Sequence, residues 1–156
     1  MEYFYEQFQT KDYKELEKKI KLTSKVILIS AVISLLFLQI LLFLFLLIIL
    51  AIIQVYKFKK IVEYEYELTA DQLSINKIRN KSKRKEIVAF SIREIVSIKD
   101  KNNNPNEKVI EASLDGIGIK EKIIKVKVLN ETISIKLALD ENLINIIKRV
   151  NPIAFY

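Results

Sequence analysis

An uncharged apolar run of 31 residues, at positions 26–56, constrains the fold of this chain more than any other feature. The polar side chains within it are Ser30, Ser34, Gln39 and Gln54. A stretch of 18 or more apolar residues is typical of a transmembrane helix, because about 20 residues rising about 1.5 Å each cross a hydrocarbon core of about 30 Å. A soluble chain of 156 residues is too small to bury such a helix. The run therefore predicts a protein integral to the cell membrane.

A cleaved signal peptide is the first alternative for this run. The apolar part of a signal peptide has about 7–15 residues and follows a short basic segment. Here 25 residues that hold six lysines and five acidic side chains precede a run about twice too long. The run is therefore predicted to stay in the protein.

The run is predicted to be either one long transmembrane helix or a tight helical hairpin. A single helix of this length would measure about 46 Å. The absence of Gly, Pro, Asn and Asp around Gln39 favours the single helix, because these residues mark turns. Lysines on both flanks favour two cytoplasmic ends and hence an even number of passes. Gln39 either hydrogen-bonds across a helix pair or is simply tolerated.

The segments that flank the run carry different signals. Residues 1–25 are predicted to form a charged N-terminal helix, because Phe4 and Phe8 are spaced four apart, as are Leu16 and Ile20. This helix either lies in the membrane interface or docks on the soluble domain. On the other side, an aromatic and basic cluster is typical of interfacial anchors: Tyr56, Lys57, Phe58, Lys59 and Lys60.

Residues 57–156 are predicted to form one small soluble β-rich domain. Alternation at 62–68 predicts a half-buried strand with Tyr64 and Tyr66 on its inner face. A turn at Ala70-Asp71 follows, and further strands are predicted at 73–80, 85–90, 93–98 and 108–114, with a loop at 101–107. Residues 122–139 predict a hairpin that turns at Asn130-Glu131.

A closing helix is predicted from the N-cap Asp140 to the stop at Pro152. Antiparallel strands followed by one amphipathic helix are the order of a small pleckstrin-homology (PH)-like barrel that the C-terminal helix caps. Other small barrels or an α+β roll fit the same order. The predicted class is thus membrane-anchored α+β.

Three segments are similar to a known family. Residues 62–95, VEYEYELTADQLSINKIRNKSKRKEIVAFSIREI, together with FYEQ at 4–7 and KRVNP at 148–152, resemble a family of bacterial membrane proteins that carry a domain of unknown function. The resemblance implies a membrane-anchored PH-like domain and no particular activity, and it favours the hairpin, because relatives have two apolar helices before this domain. Ala70-Asp71 stands where relatives have a glycine turn, and the relatives' Cys near Ile92 is missing, which argues against a thiol role.

A basic cluster at 77–85 is the strongest candidate site. Near a membrane it predicts contact with anionic lipid headgroups, and the alternative is a solvated loop that sets topology by the positive-inside rule. Nucleic acid is not expected, since no stacking aromatic lies in this loop. The candidate lipid-binding residues are Lys77, Arg79, Lys81, Lys83, Arg84 and Lys85.

The chain lacks several residue types that commonly act as nucleophiles or metal ligands. It has no Cys and no His, which excludes thiol nucleophiles and Cys/His zinc sites, so no catalytic residue, metal or cofactor is predicted. Glu63, Glu65 and Glu67 on one strand face either bind a cation, act as acid and base, or are solvated.

The sequence therefore predicts a non-enzymatic integral membrane protein. Its cytoplasmic domain would bind a protein partner or anionic lipid. One alternative is a self-assembling homo-oligomeric subunit, or an accessory of a membrane complex, packed around Gln39. A carboxylate-dependent enzyme that uses the three glutamates is the other alternative.

Overall fold

In the computed structural model, which describes residues 3–37, 39–100, 109–116, 118–128 and 131–156, the chain divides into two structural units. The first contains the described residues of Met1–Lys11, Glu63–Ile78 and Lys83–Tyr156, and the second contains Asp12–Val62 and Arg79–Ser82. The N-terminal residues thus belong with the C-terminal domain. This differs from the predicted division into 1–25, 26–56 and 57–156.

The N-terminal segment begins with a strand, β1 (Phe4–Gln9), where a helix was predicted. It pairs antiparallel with β2 (Val62–Thr69), with Gln9 opposite Tyr64. The prediction was wrong because the Phe4/Phe8 spacing also suits one face of a strand, and both side chains are exposed there. The helical part of the predicted segment starts later, at Lys14.

The first sheet has the strand order β1-β2-β3-β4, with β3 at Gln72–Arg79 and β4 at Lys83–Ser91. The predicted inner face of β2 is confirmed, since Tyr64, Tyr66 and Leu68 are all buried. Ala70 sits in the β2–β3 turn with φ of 57°, so the predicted turn forms there without glycine.

The second sheet has the order β5-β7-β8-β6. Its β5–β7 and β7–β8 pairs are antiparallel, which confirms the predicted hairpin at 122–139, whereas β6 runs parallel to β8. The predicted loop at 101–107 and Asn130 of the predicted hairpin turn lie outside the described residues. The strands of this sheet are β5 (Ile95–Asp100), β6 (Val109–Glu111), β7 (Lys122–Val128) and β8 (Glu131–Leu137).

The two sheets do not close into a barrel among the described residues, so the predicted barrel is wrong and an antiparallel α+β arrangement is confirmed. The predicted C-terminal helix is confirmed as α3 (Glu141–Val150). Asp140 caps it, because its Oδ1 accepts a hydrogen bond from the Leu143 N–H at 2.8 Å. On the apolar face of α3, Leu143 and Ile147 are fully buried.

Strand β1 is fastened to the β8–α3 connection by buried amide side chains. Gln7 Nε2 donates to the Ala138 carbonyl at 2.8 Å, and Gln7 Oε1 accepts from the Asp140 N–H at 3.0 Å. Gln9 Nε2 donates to the same carbonyl at 2.5 Å, and Gln9 Oε1 accepts from the Leu114 N–H at 3.2 Å. These bonds satisfy backbone groups that no ladder pairs, which explains why polar side chains fill this part of the core.

The second unit contains an antiparallel helical hairpin of α1 (Lys14–Leu36) and α2 (Ile40–Lys60). Ser24 of α1 contacts Gln54 of α2 across it, with Nε2 3.5 Å from Oγ. The predicted single long helix is therefore wrong. Phe37 and Gln39 both have φ near −88°, and the Gln39 N–H bonds back to the Ser34 carbonyl at 3.0 Å.

Candidate functional site: an apolar hairpin and a basic cluster

The hairpin exposes nearly all of its apolar surface. Helix α1 buries only Ile20, Ala31 and Ser34 among its described side chains, and α2 buries none. Among the described residues one helix, Ile40–Lys60, is long and apolar enough to cross a membrane by length and composition. A helix that is apolar on all sides and unburied is one of the features of membrane-spanning helices.

The two helices pack through a narrow seam with heptad spacing. From Ile20 to the end of α1, the least exposed positions are Ile20, Ser24, Ile27, Ala31 and Ser34, so three of these five are small residues. Small residues let helix backbones approach closely, which is the usual packing mode of helices surrounded by lipid. Partly buried positions on α2 follow a similar spacing with larger side chains: Phe43, Leu46, Leu50, Ile53 and Lys57.

Gln39 lies at the hairpin tip instead of in the middle of a span. It is the N-cap residue of α2, its side chain makes no capping bond, and it is exposed. Among the described residues, Gln39 thus makes no side-chain hydrogen bond across the α1–α2 pair, where such a bond across a helix pair was one of the two predictions.

The predicted interfacial anchors lie at the end of α2. Lys57 and Phe58 are half-buried, whereas Tyr56, Lys59 and Lys60 are exposed. The Lys60 ammonium stands 6.0 Å from the centre of the Tyr56 ring. The Arg79 guanidinium stands 5.9 Å from the Phe58 ring. Both contacts lie within the range of cation–π attraction.

Five of the six predicted cationic side chains in the cluster at 77–85 are exposed, and Lys77 is half-buried. Lys77 Nζ lies 5.4 Å from the Tyr64 ring, and Lys81 Nζ forms an ion pair with Glu17 Oε1 at 2.8 Å. Lys81 adopts a φ of 57° in the β3–β4 turn. Lys83 and Lys85 on β4 are exposed. Two cations of the cluster, those of Lys77 and Lys81, thus have partners within the chain.

Arg84 is bound by the predicted glutamate face. Its Nε lies 2.8 Å from Glu65 Oε2, and its Nη2 lies 2.6 Å from Glu67 Oε2. The Asn76 amide, with its oxygen turned toward Arg84, adds an acceptor 2.8 Å from Nη2. Glu65 is 6% exposed, so this carboxylate is held inside the sheet surface by its arginine. Of the three glutamates, Glu63 does not join this network.

A buried lysine was not singled out from the sequence. Lys136 on β8 is 7% exposed, and its Nζ lies 2.6 Å from Glu111, 3.4 Å from Glu121 and 3.6 Å from Asp115. Burial alone would lower the pKa of Lys136, but the hydrogen bond and charge of Glu111, aided by Glu121 and Asp115, outweigh it and raise the pKa. No pattern along the chain predicts this cluster, because its members come from separate segments.

No cluster of three or more His, Cys, Asp or Glu side chains that could hold a metal ion occurs in the described part of the chain. The carboxylates near Lys136 surround an ammonium group, which takes the central position that an ion would need. The arrangement therefore stabilises the fold and offers no ligand set.

Two of the segments that resemble the family, FYEQ at 4–7 and KRVNP at 148–152, form hydrogen bonds to distant parts of the chain. Tyr5 of FYEQ donates its hydroxyl hydrogen to Asp140 Oδ2 at 2.6 Å, and this acceptor carboxylate raises the pKa of Tyr5. Asn151 of KRVNP donates through Nδ2 to the carbonyls of Ile92 at 3.0 Å and Ile95 at 2.9 Å. Both motifs therefore hold the fold together.

Comparison with protein families gives one match over residues 1–156, to the family described as "Bacterial PH-like domain (DUF6106)". Comparisons with curated proteins and with solved structures find no match. The family description names a fold type and no activity.

Proposed function

Because the chain belongs to the bacterial PH-like domain family DUF6106, we propose that it is a non-enzymatic binding module held in the cell membrane by its helical hairpin. The observation that carries the proposal is the exposed apolar surface of α1 and α2, which has no partner in the described chain. At about 25 cal/mol per Å² of apolar area, surface of this extent would make a soluble hairpin prone to aggregate. Lipid is the environment that fits it.

The sheet supports two cytoplasmic ends. Gln9 and Tyr64 are paired neighbours in the first sheet, and paired strand residues stand about 5 Å apart. The segment between them, which contains the hairpin, must leave and return on the same side of the membrane. By the positive-inside rule, lysines at both helix ends favour the cytoplasmic side: Lys14, Lys18, Lys19, Lys21, Lys25, Lys57, Lys59 and Lys60.

Protein binding is supported by the edge of the first sheet. Strand β1 is an edge strand, and its outer face exposes Phe4 by 69% and Phe8 by 53%. An edge strand with large apolar side chains is a surface on which a partner strand can pair. A photo-crosslinking residue at Phe4 should capture a partner, and the same residue at exposed Lys85 serves as the control.

Lipid binding by the cluster at 77–85 remains part of the proposal, with fewer of its cations available to headgroups. The contacts of Lys77, Arg79, Lys81 and Arg84 inside the chain favour a structural role for these cations.

Self-assembly is the alternative function, and the exposed helix faces would be its surface. A carboxylate-dependent enzyme is less supported, since Arg84 binds both Glu65 and Glu67.

Cysteine accessibility tests the proposed anchor directly, because the chain has no native Cys. Single substitutions Lys11→Cys, Lys85→Cys and Gln39→Cys place thiols at exposed positions. We expect an impermeant maleimide to label position 39 in intact cells, and positions 11 and 85 only after the cells are opened. Alkaline carbonate should leave the protein in the membrane pellet.

Two outcomes would refute this proposal. Release of the chain by carbonate would show that the hairpin is not integral to the membrane. Labelling of position 85 from outside, with position 11 protected, would show a single pass.

A further inference from the structure

A cavity of about 440 Å³ opens between the two helices near the end of the hairpin that is opposite the tip. Ser24 and Gln54, which meet across the seam, form its floor on the tip side. Four side chains closer to the helix ends complete the wall. The lining residues are Glu17, Ile20, Lys21, Ser24, Gln54 and Lys57.

The charge of this cavity is positive. Lys21 and Lys57 contribute one ammonium group from each helix, and within the described residues neither forms an ion pair. The carboxylate in the wall belongs to Glu17, whose Oε1 is bound by Lys81 Nζ at 2.8 Å. Its negative charge is therefore compensated from outside the cavity, and the two lysines keep a net attraction for an anion.

The polar floor can complete an anion site. The Ser24 hydroxyl and the Gln54 amide each carry a hydrogen that can be donated to an oxygen acceptor. Their contact with one another is long, at 3.5 Å, so little is lost if both turn to a ligand. Two ammonium groups and two neutral donors match the oxygens of a phosphate group.

The position of the cavity along the hairpin identifies the source of the phosphate. Lys57 lies 18 residues after Gln39, which at about 1.5 Å per residue places it about 27 Å from the tip. A hydrocarbon core is about 30 Å thick, so a tip at one interface puts Lys57 at the opposite one. Phospholipid phosphates occupy that level, and their acyl chains can lie on the exposed helix faces.

We propose that this cavity binds the phosphate group of an anionic phospholipid from the cytoplasmic leaflet, between Lys21 and Lys57. This inference rests on the membrane anchor proposed above and adds a defined lipid site to it. The site lies at the base of the hairpin, apart from the cluster at 77–85. A lipid held there bridges α1 and α2 where their lysines would otherwise repel one another.

The experiment uses the full chain purified in a neutral detergent and titrated with phosphatidylglycerol or phosphatidylcholine. Native mass spectrometry counts bound lipid. We expect a preference for phosphatidylglycerol in the unaltered protein. Because each basic residue near anionic lipid accounts for about a fivefold change in affinity, the double substitution Lys21→Gln/Lys57→Gln should weaken phosphatidylglycerol binding by about thirtyfold.

Lys14→Gln/Lys18→Gln is the matched control, since it removes the same charge from the hairpin base outside the cavity wall. An equal loss in the control would show general surface attraction and overturn the site. Equal binding of the two lipids would also overturn it. Displacement of the lipid by millimolar inorganic phosphate would assign the cavity to a soluble phosphate instead. A chain that stays in the carbonate pellet but shows no lipid preference refutes this inference alone and leaves the anchor intact.

Discussion

The hydroxyl of Tyr66 is a single group that joins the first sheet to two segments beside the second. It donates to the Ala112 carbonyl at 2.6 Å and accepts from the Ala138 N–H at 3.3 Å, and the side chain is fully buried. Burial raises the pKa of Tyr66 well above its usual range, so the hydroxyl keeps its donor hydrogen at neutral pH.

Tyr66→Phe should therefore lower the free energy of unfolding by about 1–3 kcal/mol, because two buried backbone groups lose their partner. Chemical denaturation of the purified chain in detergent measures the change. Tyr156→Phe is the control, since Tyr156 is fully exposed and its loss should change little. An equal effect of the two substitutions would show that the Tyr66 bonds contribute nothing.

Lys136 supports a second prediction at this scale, which depends on pH. Lys136→Met removes the ammonium group that pairs with Glu111 and with the mostly buried Glu121, so we expect a loss of about 2 kcal/mol in the free energy of unfolding at pH 7. The folded protein raises the pKa of Lys136 above the ordinary value of 10.5. Its contribution is thus complete below that pH and declines as pH rises through the folded pKa.

Unfolding measured from pH 7 to pH 11.5 checks this dependence. The difference in stability between the unaltered protein and Lys136→Met should be constant up to about pH 10 and then narrow. Lys125→Met on the neighbouring strand controls for general lysine titration. A difference that stays constant to the highest pH would contradict the account.

The roles of some single residues could be predicted from the sequence, and those of others could not. The burial of Tyr64 and Tyr66 and the capping role of Asp140 follow from local spacing, and the structure confirms them. The burial of Glu65 does not, because its partner Arg84 lies on another strand, 19 positions along the chain. From the sequence alone, a charged side chain at an alternating strand position is predicted to be solvated, because its burial requires a partner of opposite charge that only the folded structure reveals.

At the scale of elements, the helical hairpin depends on the small side chains of its seam. Ala31 is fully buried, whereas the adjacent Val32 is 53% exposed. Ala31→Leu adds volume where the helices approach closely and should force them apart, at a cost of about 1–3 kcal/mol. Val32→Leu adds volume on the exposed side of α1 and should be neutral.

A crosslink between Ser24→Cys and Gln54→Cys measures this packing in membranes, since these side chains touch across the seam. Efficient crosslinking is expected in the parent pair and in the Val32→Leu background. It should fall several-fold with Ala31→Leu. Unchanged crosslinking would show that Ala31 is not at the interface.

Elements differ in how well their sequences revealed them. The β7–β8 hairpin and α3 carry their own alternation, capping and stop signals, so both were predictable. Strand β1 carries too short a pattern, and its partner β2 lies more than 50 residues further along the chain. The break between α1 and α2 has no Gly, Pro, Asn or Asp to mark it, and a backbone bond from the Gln39 N–H to the Ser34 carbonyl spans it.

At the scale of the whole molecule, the hairpin is an insertion between the first two strands of a PH-like domain. Gln9 and Tyr64 are paired across the point of insertion, so the domain continues from β1 to β2 without the helices. A chain in which a four-residue Gly-Ser loop replaces residues 12–61 should thus form both sheets and α3. The fragment 57–156 should be much less stable, because it lacks β1 and leaves the Ala138 carbonyl without Gln7 and Gln9.

Urea denaturation of these two soluble chains, followed by far-ultraviolet circular dichroism, tests this central claim most directly. The chain with the loop should unfold in one cooperative transition, and the fragment should be less stable by about 3 kcal/mol or more, since several buried hydrogen bonds are missing. A fragment as stable as the chain with the loop would contradict the claim, as would a loop variant with no cooperative transition. The first result would mean that the domain does not need β1. The second would mean that the domain cannot fold without the helices.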